Sequence, residues 1–265
     1  MPFVVSVAQQ KGGVGKTSIA ASLFAAKVSG GVSAGIVDLD PQGNATAWAL
    51  GHGVFNDIPQ HAGAEAFTLP HGEIARGYSA GITPDDAREM MARHVHPCAK
   101  LGGGFVVPAN LYMAPHAFTD IRLDVLPFDV VVVDTPPRLP ADVFRAIARQ
   151  SDAVIAPVQP EAAAVQNVPD LVRELANCGG ARLLEENAFR LVVTMAQKCT
   201  NHAAWETVLR EHFKPYLSRV VIARATAWGE LLNPNAKWNP KSAPAKAAAE
   251  LWKEIERNAA RRVAA

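Results

Sequence analysis

Seven residues near the start of the chain, Lys11-Gly12-Gly13-Val14-Gly15-Lys16-Thr17, have the types and spacing to hold a chain of phosphates. The glycines let successive backbone N–H groups turn inward on an anion, and a helix opening behind them at Ser18 adds the positive end of its dipole. Lys16 is placed to reach the β- and γ-phosphates of a nucleotide, and the Thr17 hydroxyl to sit on Mg²⁺. Carboxylates stand in two further stretches, Asp38-Leu39-Asp40-Pro41-Gln42-Gly43-Asn44-Ala45-Thr46 and Asp134-Thr135-Pro136-Pro137. The second is a Walker B pattern, in which Asp134 holds the Mg²⁺ through water.

These residues work only if strands and helices bring them together. Phe3 to Ala8, Ala34 to Val37 and Phe128 to Asp134 are short, apolar and rich in valine, which predicts strands buried on both faces of a parallel sheet. Ser18 to Val28 has apolar residues at helical spacing. Aspartates at the carboxyl end of a strand beside the phosphate strand lie where an open α/β sheet places its chemistry. Further along, helices are expected over Ala141 to Gln150, from Glu161 or Val165 to Cys178 with a break near Pro169, and over Asn201 to Phe213. Strands are expected at Gly104 to Leu111, Ala153 to Val158, Phe189 to Met195 and Val220 to Ile222.

The stretch from residue 51 to 127 differs in character. It holds His52, His61, His71, His94, His96 and His116, six of the eight histidines. Its clearest element is a helix with Thr83 as N-cap, Pro84 and two aspartates in the first turn, and Ala87, Met90, Met91 and Val95 along one face. His94-Val95-His96-Pro97-Cys98 lacks a matching ligand pair elsewhere, so these histidines read as ordinary surface and loop residues rather than a metal site.

Composition bounds the rest. A chain of 265 residues, 49% hydrophobic with a net charge of +1, is globular and carries no bulk basicity. Any nucleic-acid binding must then come from a local patch. Cys98, Cys178 and Cys199 have no C-x-x-C spacing and read as reduced thiols. No apolar run approaches the roughly 18 residues of a membrane span. The phosphate loop begins too early for a signal peptide. The expectation is a soluble cytoplasmic protein of one domain, residues 1–265.

The loop departs from the general G-x-x-x-x-G-K-[ST] pattern, with Gln10 at the first glycine and a second lysine, Lys11, opening the loop. This K-G-G-x-G-K-T form resembles the deviant Walker A box of the ParA/MinD family of dimerising ATPases. The Asp38–Thr46 stretch resembles that family's D-x-D-P-Q-G-N-A-T box. Val106-Val107-Pro108-Ala109-Asn110, Pro157-Val158-Gln159 and the run from Trp238 to Ile255 also match family segments. The resemblance covers residues 3–50 and 104–256. It implies a twisted, mostly parallel sheet with helices on both faces, and a switch driven by ATP and Mg²⁺. By this resemblance Asp40 orients the attacking water, Asp38 supports the Mg²⁺ shell, and Thr194 and Met195 line the adenine side of the nucleotide.

Lys11 would reach across a homodimer to the partner's phosphates, joining Lys16 and Asp40 as catalytic residues. The family dimer binds DNA without sequence preference, and a ParB-like or other small adaptor stimulates slow hydrolysis. Arg224 matches the first arginine of the family's I-P-R-N-x-R segment and is assigned to both the nucleotide and the DNA. Ala223 and Ala227 replace its proline and second arginine. Lys198, Arg219, Lys237, Lys241 and Lys246 complete the expected basic face. No helix-turn-helix precedes the loop, which implies the short kind of ParA, associated with the nucleoid.

Other readings compete, some within the same class. A MinD-like membrane switch needs a bulky apolar face on the C-terminal tail, which Arg257 to Ala265 does not offer. A redox enzyme resembling the nitrogenase iron protein needs a cysteine soon after the Walker B strand, and none lies between Asp134 and Cys178. An ATP-dependent biosynthetic ligase, or an ATPase positioning a cargo other than DNA, remains as the alternative. For the ligase, residues 51–127 would have to supply the substrate pocket.

Overall fold

A computed structural model describes residues 1–51, 54, 56–59, 62–68, 72–109, 115–224 and 236–264. In order these form β1 (Phe3–Val7), α1 (Lys16–Ser29), β2 (Ala34–Asp38), α2 (Asn44–Leu50), α3 (Glu73–Ser79), α4 (Pro84–His94), β3 (His96–Pro97), β4 (Phe105–Val107) and β5 (Val130–Asp134). They continue with α5 (Ala141–Gln150), β6 (Ala153–Val158), α6 (Ala162–Val165), α7 (Val168–Leu175), α8 (Ala181–Glu185), β7 (Phe189–Ala196), α9 (Thr200–His212), β8 (Leu217–Ala223) and α10 (Ala243–Ala264). The strands make one sheet in the order β3-β4-β2-β5-β1-β6-β7-β8. Every neighbouring pair is parallel except β3 with β4.

The valine runs explain this architecture, because strands apolar on both faces must be covered by helices on both. One core buries Val5, Val7, Ile36, Val130 and Val132 under α1, α2 and α10. The opposite core buries Val4, Val37, Val131 and Val133 under α5, α7 and residues from 64 to 126. Phe67, Ile74 and Met91 carry the histidine-rich stretch into that second core. The expected cap on α4 is present, with Thr83 Oγ1 accepting from Asp86 N.

Several expectations shift. The valine strand starts at Val130 rather than Phe128, since Asp129 N and Val130 N both turn to Ser33 O. The break in the helical stretch falls at Gln166 and Asn167, not at Pro169, which sits in the first turn of α7 where its missing N–H costs nothing. His94 is 7% exposed at the end of α4, a buried residue and not a surface one. His96 lies on β3. Among the described residues no group of His, Cys, Asp and Glu is arranged for a metal of its own. His52, His61, His71, Asn110, Leu111 and Ala227 lie outside the described residues. No described helix is long and apolar enough to cross a membrane.

One charged cluster fastens the far end of the sheet. Arg190 Nε on β7 lies 3.0 Å from Glu254 Oε1 on α10, and Arg190 Nη1 donates to Pro215 O at 2.8 Å. The other Glu254 oxygen accepts from Ser218 Oγ at 2.8 Å and Arg219 N at 3.3 Å, both on β8. Removing one partner of a buried ion pair strands the other charge. Glu254→Ala should therefore cost about 3 kcal/mol in urea unfolding, whereas Lys253→Ala, an exposed neighbour, should change stability by less than about 0.5 kcal/mol. Equal small losses would show that the cluster does not anchor β8.

Candidate functional site

The carboxyl ends of β1, β2 and β5 converge, and register makes them do so. Val7 pairs with Asp134, and Asp38 pairs with the same Asp134 from the other side. The loop after β1 turns through Gly13 (φ 75°) and Gly15 (φ 91°), left-handed conformations that favour glycine. Gly15 is the N-cap of α1 and offers no side chain to its first N–H groups, which are left for an anion.

Lys16 is buried, and its Nζ donates to Lys11 O at 3.1 Å. Burial lowers its pKa, against the pull of Asp134 and Asp40. Lys11 points elsewhere: its ammonium pairs with the carboxylate of Glu161, just before α6. A cavity of about 380 Å³ is lined by Gly12, Gly13, Gly15, Lys16, Thr17, Ser18, Asp40, Gln42, Asn44, Trp48, Pro137 and Met195. Lys11 is not among these residues. A second cavity of about 210 Å³ adjoins it at Gly15, Ser18 and Met195 and is completed by Thr194, Ile222, Ala223 and Arg224.

The three aspartates have different surroundings. Asp38 is fully committed: Oδ2 accepts from Thr46 N and Thr46 Oγ1, each at 2.8 Å, and Oδ1 from Asp40 N at 3.1 Å. Asp40 Oδ1 accepts from Gln42 N at 3.0 Å, and the residue lines the larger cavity. Both Asp134 oxygens are buried with no hydrogen-bond partner among the described residues. The Thr17 hydroxyl is near enough to lower the Asp134 pKa without completing a hydrogen bond. A bare, buried carboxylate beside a second carboxylate and a threonine hydroxyl suits a hard cation with oxygen ligands, so the donor set fits Mg²⁺.

Thr194 and Met195, at the end of β7, both line the smaller cavity. Thr194 Oγ1 donates to Val14 O at 2.7 Å, which fixes the phosphate loop against β7. Met195 sits at φ 53°, a strained conformation for a side chain of this size, where the β7–β8 register slips. Gln159 Nε2 donates to Gly13 O at 3.1 Å and also contacts the Met195 sulphur.

Sequence reading did not give a role to Thr46, Gln159 or Glu161. Thr46 Oγ1 accepts from Ala109 N at 2.9 Å while donating to Asp38, so it joins the exits of β2 and β4. All three stand inside or directly after stretches already singled out, which was the available signal.

The family model for the "CobQ/CobB/MinD/ParA nucleotide binding domain" matches residues 5–257. The chain belongs to this family. Among relatives, the "Chromosome-partitioning ATPase Soj" of Thermus thermophilus is 31% identical over 243 residues, 89% of each chain. Among solved structures, cobyrinic acid a,c-diamide synthase of Mycobacterium smegmatis with an ATP analogue and magnesium has a TM-score of 0.64 at 21% identity. That match covers 97% of this chain and 95% of the other. A putative plasmid partition protein of Borrelia burgdorferi bound to AMPPNP has a TM-score of 0.63 at 19% identity, covering 96% and 98%. These structural likenesses confirm the CobQ/CobB/MinD/ParA fold.

The residues of the expected basic face come from several elements. Lys198 and Arg224 follow the carboxyl ends of β7 and β8, with Arg224 N bonded to Ala196 O. Arg219 is near the opposite end of β8, five residues and about 16 Å of extended chain away. Lys237 and Lys241 flank Trp238, whose backbone N–H bonds Lys100 O ahead of β4. Lys246 is exposed on α10.

The buried aspartates set a pH dependence. Burial raises Asp38 to about 7, more than its hydrogen bonds from Thr46 and Asp40 lower it. Burial, and then Asp38, raise Asp134 well above the usual carboxylate range. A carboxyl raised in the folded state keeps its proton where the unfolded chain has lost it, so stability falls as pH rises from about 4 toward 7. Without nucleotide and in EDTA, the urea midpoint should be lower at pH 7 than at pH 5, and Asp38→Asn should flatten the difference. A difference that Asp38→Asn leaves unchanged would remove Asp38 as its source.

Proposed function

We propose that this chain is a partition-type switch ATPase that binds ATP with Mg²⁺, dimerises on it, binds DNA without sequence preference as the dimer, and hydrolyses ATP slowly under stimulation by a ParB-like or other small adaptor. The observation that carries this reading is the placement of the two loop lysines. Lys16 faces the phosphate cavity, while Lys11 stands outside it on Glu161. A site with one of its two lysines turned away is incomplete within a single chain.

In this reading the N–H groups of Gly12 to Ser18 would take the phosphates, and Lys16 would turn to them from the Lys11 carbonyl. Thr17 and Asp134 would hold the Mg²⁺, with Asp38, locked by Thr46, supporting them. The ion, when bound, neutralises charge on the phosphate oxygens. Thr194, Met195 and Arg224 border the nucleoside in the smaller cavity. Asp40 lies on the cavity wall beyond Lys16, where it orients the attacking water. Lys11 leaves Glu161 and enters the partner's site, where a second ammonium offsets charge developing on the transferred phosphoryl group. Dimerisation thereby gates turnover. The soluble, nucleoid-associated location belongs to the same proposal.

Two substitutions separate the roles. Lys11→Ala should bind ATP as the monomer yet form no ATP-dependent dimer by light scattering, and ordinary dimerisation and turnover in this variant would refute the trans lysine. Asp40→Ala should bind ATP and dimerise, with turnover down by about 10²-fold or more. Turnover retained in that variant would place the water-orienting group elsewhere.

A further inference from the structure

One group of cations in this chain has features of a polyanion site. Arg210, Lys214 and Arg219 meet with Glu211, Leu217 and Ser218 around a cavity of about 420 Å³. Arg210 belongs to the last turn of α9, Lys214 to the turn that follows, and Arg219 to β8. Arg210 pairs with Glu206 at 2.5 Å. Among the described residues the side chains of Lys214 and Arg219 join no ion pair. On neighbouring surface, by contrast, Lys27 pairs with Glu256 and Lys253 with Glu250.

The carboxyl end of α9 favours cations and accounts for Arg210. It does not account for Arg219, which comes from a different element and faces the same cavity. β8 is also the last strand of the sheet among the described residues. Because β8 runs parallel to β7, the cavity lies toward the end of the sheet away from the nucleotide, and an occupant there does not compete with ATP. At the nucleotide end of the same edge stand Lys198 and Arg224. The two groups are separated by about 16 Å of strand, enough to reach phosphates on both sides of a major groove about 12 Å wide.

We propose that the β8 edge, with Arg210, Lys214 and Arg219 at one end and Lys198 and Arg224 at the other, is the surface on which the phosphodiester backbone of duplex DNA lies. The inference rests on the DNA-binding reading above and gives that reading a location. It assigns no part to Lys237, Lys241 or Lys246. Side chains used in this way neutralise phosphates and read no bases, so binding is indifferent to sequence and weakened by salt.

The test is fluorescence anisotropy of a labelled random-sequence duplex with the full chain and ATP, titrated with salt. It compares Lys214→Gln/Arg219→Gln with Lys237→Gln/Lys241→Gln. The first pair should weaken binding by about tenfold or more and lower the salt slope by about 0.9 for each phosphate left without its cation. The second pair should bind as the unaltered chain does. Thermal midpoints and ATP binding, measured on each, correct for any loss of folded protein. Unchanged affinity in the first pair, or weakening confined to the second, would overturn the β8 location while leaving DNA binding intact. No binding by the unaltered chain with ATP at low salt would overturn the DNA reading and this surface with it.

Discussion

Two carboxylates at the same rung of a parallel sheet, buried side by side, are the constraint around which this molecule is arranged. Asp38 and Asp134 end adjacent strands in direct register, both without solvent exposure. Two such charges repel and are poorly solvated, so each needs a compensating partner. Asp38 finds its own in the first turn of α2, through Thr46 N and Oγ1. Asp134 has no hydrogen-bond partner among the described residues, and the positive charge acting on it is the buried Lys16. The geometry leaves one carboxylate without a hydrogen-bond partner among the described residues and one tied into the scaffold beside it.

The phosphate loop is braced from several directions by contacts that ask little of its own sequence. Thr194 holds Val14 O, Gln159 holds Gly13 O, and Thr135 Oγ1 on the Walker B exit donates to Val7 O at 2.8 Å. Gln10, which replaces a glycine of the general loop pattern, has a use for its side chain: Nε2 donates to Glu174 Oε2 on α7 at 2.9 Å. With Lys11 on Glu161, both residues that open the loop are held by acids of the segment leading through α6 and α7. The loop is thus fixed at its base and open toward the cavity.

Charge on the surface follows a different logic. Several cations beside α10 are matched by acids one turn away or across a helix pair, which holds the helix to α1 and β8. Lys214 and Arg219, near the start of β8, are not matched in this way among the described residues, and they stand where the sheet has no further described neighbour. A nearly neutral chain can therefore present a local basic edge without any excess of basic residues overall.

The sequence by itself determined the parallel sheet, the glycine loop after β1, the aspartate that ends β5 and the order in which these occur. Each is a local signal: valine runs short enough for strands, glycines at the loop, carboxylates in phase at strand ends. It also located α4 through its capping residues. What only the tertiary structure decided depends on contacts between residues far apart in the chain. Among these are the commitment of Asp38 to Thr46 and the bare carboxylate of Asp134. The diversion of Lys11 onto Glu161, 150 residues away, is another. The burial of His94 and the meeting of Arg219 with Arg210 and Lys214 could not be read from spacing either. Register and helix packing, which fix these neighbours, arise from the whole sheet at once and leave no periodic trace in any single stretch.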